Sequence, residues 1–219
     1  MNAKDDNVPV VPGKNPYEDY ADRTDTQMWL GALLKFNKGE YLVGRDGEVC
    51  PEKELVAIMP GLLCGWIRWE DNFPVEHVMG LLLEGFVPPA RSTLGHDDKT
   101  LWEQQDSGKP RDPWQQGVYL PMISLNGEVV YTFTTTSDGG RRRGITPLCR
   151  EYGLHMREHP DELPGIGLEQ DSYMHPDRSI GRVKFPLFPV EKWLKTAPYL
   201  AAVATLTGKT MKLPPAQAA

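Results

Sequence analysis

The pair Asn126-Gly127, set between apolar runs at 118–125 and 129–136, constrains this chain more than any other stretch. Asn and Gly tolerate the positive φ of a tight turn, so this pair between such runs specifies a β-hairpin. Downstream come SDGG and three consecutive arginines. They lead into a segment, 146–153, where Thr146, Pro147 and Gly153 read as N-cap, first-turn proline and C-terminal stop of a short helix. Strand, turn, strand, flexible basic loop and helix form one supersecondary unit around which the rest is arranged.

The remainder reads as short strands. Twenty prolines and 21 glycines among 219 residues favour many strands and turns over long helices. Strands are expected at 32–36, 40–43, 55–59, 62–69, 80–87 and 181–188, with turns at 37–39 and 45–48 and an interruption at Pro60-Gly61. Pro186 and Pro189 demote the last strand to an edge or force a bulge. Residues 75–79 read as a short helix or turn, 98–105 as a short helix anchored by Trp102, and 154–178 as mostly loop. About seven strands that neighbour one another, with two or three short helices, predict a mainly β (α+β) fold, an antiparallel barrel or sandwich. One realisation is an OB-like, partly open five-stranded barrel with extra strands. The composition divides the chain into a disordered arm at 1–27, a single β-rich domain at 28–200 and a flexible tail at 201–219.

No run reaches the roughly 18 apolar residues of a membrane span, and the first 20 residues contain no apolar secretion signal, which points to a soluble, intracellular protein without a membrane partner. Cys50, Cys64 and Cys149 are far apart and read as reduced, buried thiols. The net charge of −6 is uneven: before Arg141 the chain carries 12 basic and 22 acidic side chains, and from Arg141 onward 12 and 8. An acidic total argues against indiscriminate polyanion binding, while a local basic face still attracts phosphates.

Two patterns suggest a ligand. The first is the loop at 137–144, whose glycines free the backbone while Arg141, Arg142 and Arg143 can pair with phosphate oxygens. It lacks the Lys-Ser/Thr of a P-loop, and a plain solvated connector is the competing reading. The second is aromatic and basic residues interleaved on strands: Trp66, Arg68 and Trp69 in one run, Tyr119, Tyr131 and Phe133 in the hairpin, Arg182, Lys184 and Phe185 later. Bases of a single strand stack on such aromatics while basic groups follow the backbone; core packing is the competing fate. Trp66 and Trp69 are at an odd separation, so strand alternation sends them to opposite faces. His155 and His159 have i, i+4 spacing, but Gly153 and Pro160 frame a helix badly, no Glu follows His155 directly and the nearest Asp, Asp161, is two residues past the pair, so no metal site and no cofactor are expected. Ser172, His175 and Asp177 read as parts of a turn. No nucleophile-base pair is legible, and the chain does not read as an enzyme.

The ordered blocks LKFNKGEYL, GWIRWED, RDPWQ, YTFTTTSDGG, LCREYG and SIGRVKFPLF, spanning about 33–193, resemble a family of uncharacterised proteins of tailed phages and prophages. The resemblance carries no site residues and implies a setting in the host cytoplasm. By analogy it suggests a non-catalytic accessory protein of phage DNA metabolism that binds single-stranded nucleic acid. The alternative is a phage protein that binds a host or virion protein.

Overall fold

The computed structural model describes residues 29–211 apart from 45, 105–107, 109, 177, 179 and 180. The expected arm at 1–27 and the end of the expected tail lie outside the described residues.

β1 (Ala32–Asn37) and β2 (Glu40–Val43) form a hairpin across Lys38 and Gly39, whose φ values of 49° and 98° are those that let the chain reverse so tightly. β3 (Glu48–Val49) continues that sheet edge. β4 (Glu54–Ala57) ends in a 3₁₀ turn at Met59–Gly61, where Pro60 breaks the pairing and the chain enters β5 (Leu63–Glu70) and β6 (Phe73–Leu81). β7 (Trp114–Ser124) and β8 (Val130–Thr135) are the hairpin expected around Asn126-Gly127. A π-helical turn, Gly139–Ile145, runs directly into α1 (Thr146–His155). β9 (Glu162–Gly167), β10 (Glu169–Met174), β11 (Arg182–Leu187), β12 (Val190–Lys195) and α2 (Thr196–Thr207) follow.

β7 is the strand at which the sheet forks. One edge pairs with β8, while the other is shared: β5 takes the stretch from Trp114 to Tyr119 and β4 takes Met122 to Ser124. The ten-stranded sheet therefore runs β12-β9-β4-β7-β8-β1-β2-β3, with β5 and β6 as a branch, and β10-β11 form a separate ribbon. Only β1 with β8 is parallel among the described pairs. The sheet curls into a half-barrel, as expected of a mainly β chain of this composition. Leu34, Leu120, Met122 and Phe133 are fully buried inside it, and α1 adds Leu148 and α2 adds Val203 to the same core.

At the hairpin turn Gly127 has φ 76° and donates to the Ser124 carbonyl at 2.8 Å. The Ser124 hydroxyl accepts from the Glu128 and Val129 amides at 3.1 and 3.0 Å, so a buried side chain satisfies the groups that the loop leaves unpaired.

Several expectations fail for identifiable reasons. Residues 75–79 belong to β6, which pairs with β5 from Leu63↔Leu81 to Glu70↔Phe73, so cross-strand pairing overrides the weak helical pattern. The expected strand at 80–87 ends early: a 3₁₀ turn at Leu82–Glu84 and Gly85 at φ 76° fold Phe86 back over Gly80. Where a helix was expected at 98–105, the described residues form one 3₁₀ turn, Lys99–Leu101, capped by Asp98; Trp102 still anchors it by donating to the His96 carbonyl at 2.7 Å. The stretch 154–178 contains β9, buried along most of its length, and β10, rather than loop. Thr146 is not an N-cap, because helical backbone already precedes it, and its hydroxyl donates to the Arg141 carbonyl at 3.0 Å. Gly153 does not stop α1, which continues to His155. The segment past residue 200 is helical to Thr207, with Val203 buried, where a flexible tail was expected. Pro186 does mark an edge: among the described residues β11 pairs only with β10.

Burial has a titration consequence. It pushes the Tyr119 phenol up to about 12 and the Cys149 thiol up to about 11, and it raises Tyr41 well above the ordinary phenol range. Unfolded thiols and phenols ionise near about 8.5 and 10, so this stability is complete below those values and is lost as pH rises through the folded ones. The urea midpoint should hold steady to about pH 8.5 and then fall, most steeply above about pH 10. A midpoint unchanged at pH 11 would contradict the burial of these groups.

Candidate nucleic-acid interface

The basic run 141–143 is not a flexible loop. It lies in the π-helical turn, which packs against β11 and meets β8 where Gly140 approaches Thr135. Glycine is required at the first contact: a Cβ on Gly140 would lie 2.4 Å from the Thr135 hydroxyl, and at Gly139 it would lie 3.0 Å from Phe185 Cβ. The Ser137 hydroxyl accepts from the Gly140 amide at 3.0 Å and completes the start of the turn. The arginines are therefore presented by rigid backbone.

The three side chains have different fates. Arg141 donates to Gln116 Oε1 at 2.5 Å and to Asp138 Oδ1 at 2.6 Å, and its side chain is 22% exposed. It ties the turn to β7 and is spent on that task. Arg142 is 77% exposed, with Asp138 at 3.7 Å as a weak partner. Arg143 projects over two rings, with Cζ 4.5 Å from the Tyr173 centroid and 4.8 Å from that of Phe185. Stacking uses the face of the guanidinium and leaves its N–H edges available.

The other expected residues are not gathered there. In the β10–β11 ribbon, partners across the ladder share a face: Tyr173 with Val183 and Asp171 with Phe185 on one side, Ser172 with Lys184 and Met174 with Arg182 on the other. Arg182 and Lys184 are exposed on the face opposite Arg143, with Arg182 donating to Ser172 Oγ at 3.1 Å. The Tyr41 hydroxyl fastens the ribbon to the half-barrel, reaching the Glu169 and Leu187 carbonyls at 2.7 and 3.0 Å.

On β5, Arg68 is occupied. It pairs with Glu76 at 3.0 Å and closely with Glu70, and its side chain is 15% exposed. Burial pulls its pKa down, and the two carboxylates more than offset this, so it ends above its ordinary value. Its charge is neutralised within the protein, contrary to the expectation of a phosphate contact. Trp66 is half-buried and donates from Nε1 to the Pro89 carbonyl at 2.9 Å; it lies across from Gln116, the residue that holds Arg141. Trp69 lines a cavity of about 170 Å³ with Arg68, Trp102, His96 and Arg111, next to the point where the β5–β6 register shifts between Arg68 and Trp69. Neither tryptophan offers an open stacking face beside the arginines.

Tyr173, Phe185, Asp138 and Gln116 are the residues that the sequence argument did not assign to the arginine run. Asp138 had a signal, since it precedes Arg141 by three residues and would face it on any helical turn. Tyr173 had none, because its strand lacks an apolar alternation. A second cluster had a signal in its i, i+4 spacing: His155 and His159 do meet, with rings 4.6 Å apart, because the helix runs through Gly153 instead of ending there.

The fold and this surface define a mainly β protein with a built basic-aromatic turn. No protein-family model matches the chain, and neither a curated protein nor a solved structure matches it. Among the described residues no helix is long and apolar enough to cross a membrane.

Proposed function

We propose that the chain is a non-catalytic protein that binds single-stranded nucleic acid across the π-helical turn and the β10–β11 ribbon. The observation that carries this reading is Arg143 stacked over Tyr173 and Phe185 beside the exposed Arg142. Guanidiniums held on rigid backbone contact phosphates at little entropic cost, and Tyr173, only partly buried, offers a ring to a base. Arg182 and Lys184, on the far face of the ribbon, extend the positive surface around its edge. Arg141, Arg68, Trp66 and Trp69 drop out of the contact set, and Arg141 becomes the brace of the turn. A role as an accessory protein of phage DNA metabolism in the host cytoplasm rests on the sequence resemblance alone.

The test is fluorescence anisotropy with labelled oligonucleotides. Single strands should bind more tightly than duplexes of the same sequence, and Tyr173→Ala should cost about 1–3 kcal/mol of affinity if a base stacks there. Equal affinity for both forms, or no binding at low salt, would overturn the reading.

A second reading is favoured by a different surface. Among the described residues β6 pairs only with β5, leaving its other edge open, and it exposes Phe73 and Val75 at 70% and 45%. Such an edge accepts a strand from a protein partner. Binding there would resist salt, whereas phosphate contacts weaken as salt rises.

A further inference from the structure

We propose that His155, His159 and Glu162 form a binding site for a divalent cation of the zinc type. Their ligand atoms all lie within 4.8 Å of one another. The grouping is built into the backbone: the His159 amide donates to the His155 carbonyl at 3.0 Å and the Glu162 amide to the His159 carbonyl at 3.2 Å, so the end of α1 and the start of β9 wind into one compact turn.

Neighbouring side chains orient the three groups. Trp193 stacks on the His155 imidazole with centroids 3.5 Å apart and planes 7° apart, which fixes the ring. Lys195 holds Glu162 Oε1 at 3.0 Å and Asp161 Oδ2 at 2.9 Å, leaving Glu162 Oε2 directed at His155 Nε2, 2.8 Å away. This is the support that metal ligands typically receive from their surroundings.

Two imidazoles and one carboxylate suit zinc, whose bonds to nitrogen and oxygen are about 2.0–2.2 Å, so neighbouring ligand atoms lie roughly 3.3 Å apart in a tetrahedron. The 2.8 Å His155–Glu162 contact needs to open only slightly to admit an ion between the two ligand atoms. His159 is exposed, which leaves the fourth position to water.

Calorimetric titration of the chelator-stripped full chain with Zn²⁺ should show one saturable site per chain. His159→Ala removes an exposed side chain and should keep the fold, yet weaken binding by more than the about 10–100-fold that changes outside the ligand set cost. Glu162→Gln, which preserves shape, should do the same. Co²⁺ should quench part of the tryptophan fluorescence, and Trp193→Phe should abolish that part while leaving one bound ion. Absence of saturation, unchanged affinity in His159→Ala, or a thiolate-to-cobalt absorption band placing the ion on a cysteine would each overturn the assignment.

Discussion

Replacing Phe133 by alanine is expected to lower the free energy of unfolding by about 3–5 kcal/mol, the range for removing a large aromatic side chain from a packed core. Phe133 has no exposed surface and lies near the middle of β8, where its ring meets Phe188 at 4.9 Å and Tyr41 at 6.4 Å between centroids. Three parts of the fold converge on it: the central hairpin, the β1–β2 hairpin through Tyr41, and the segment after the ribbon through Phe188. A cavity there cannot close without moving strands that pair on both sides of β8. At about 2–4 °C per kcal/mol, the thermal midpoint should fall by at least about 6 °C. A loss under about 1 kcal/mol would mean that the hairpin is not the centre of the core.

Replacing Gly140 by valine is the second large effect, and it reaches from stability into binding. The new Cβ would lie 2.4, 2.8 and 2.9 Å from the Oγ1, Cγ2 and Cβ atoms of Thr135, a stiff β-branched side chain within β8. The π-helical turn must lift from the sheet, at a cost of about 1–3 kcal/mol. Lifting also breaks the Arg141–Gln116 bond, so Arg142 and Arg143 lose their fixed direction. Differential scanning calorimetry should show the lower midpoint, and oligonucleotide affinity should fall beyond what partial unfolding explains. Unchanged affinity in a fully folded Gly140→Val protein would separate the turn from the binding surface.

Local signals in the sequence reported the central hairpin well, because Asn126-Gly127 and its flanking runs encode their own geometry. They reported β9, β10 and β12 poorly. β9 carries Pro164 and two glycines within a buried run, and β10 is a polar ribbon strand, so neither shows the period-two alternation that identifies strands. The arginine run was legible as a basic element on the chain, but its rigidity was not. Gly139 and Gly140 read as flexibility, whereas their role is close approach to Phe185 and Thr135, which depends on residues far along the chain. The same limit applies to Arg68, whose partner Glu76 lies in a stretch that reads as helix or turn and becomes a strand only by pairing with β5. His155, His159 and Glu162 come together because a helix passes through a glycine, Gly153, that usually ends one.

Counterion release tests the binding face most directly. Wild-type affinity for a labelled single strand, measured across a series of salt concentrations, should fall linearly on logarithmic axes with a slope of about −0.7 for each phosphate contacted. The double variant Arg142→Ala, Arg143→Ala should keep the wild-type thermal midpoint, since both side chains are exposed, and its slope should be shallower by about 1.4. A slope equal to that of the wild type would contradict the account, placing any bound strand elsewhere on the molecule.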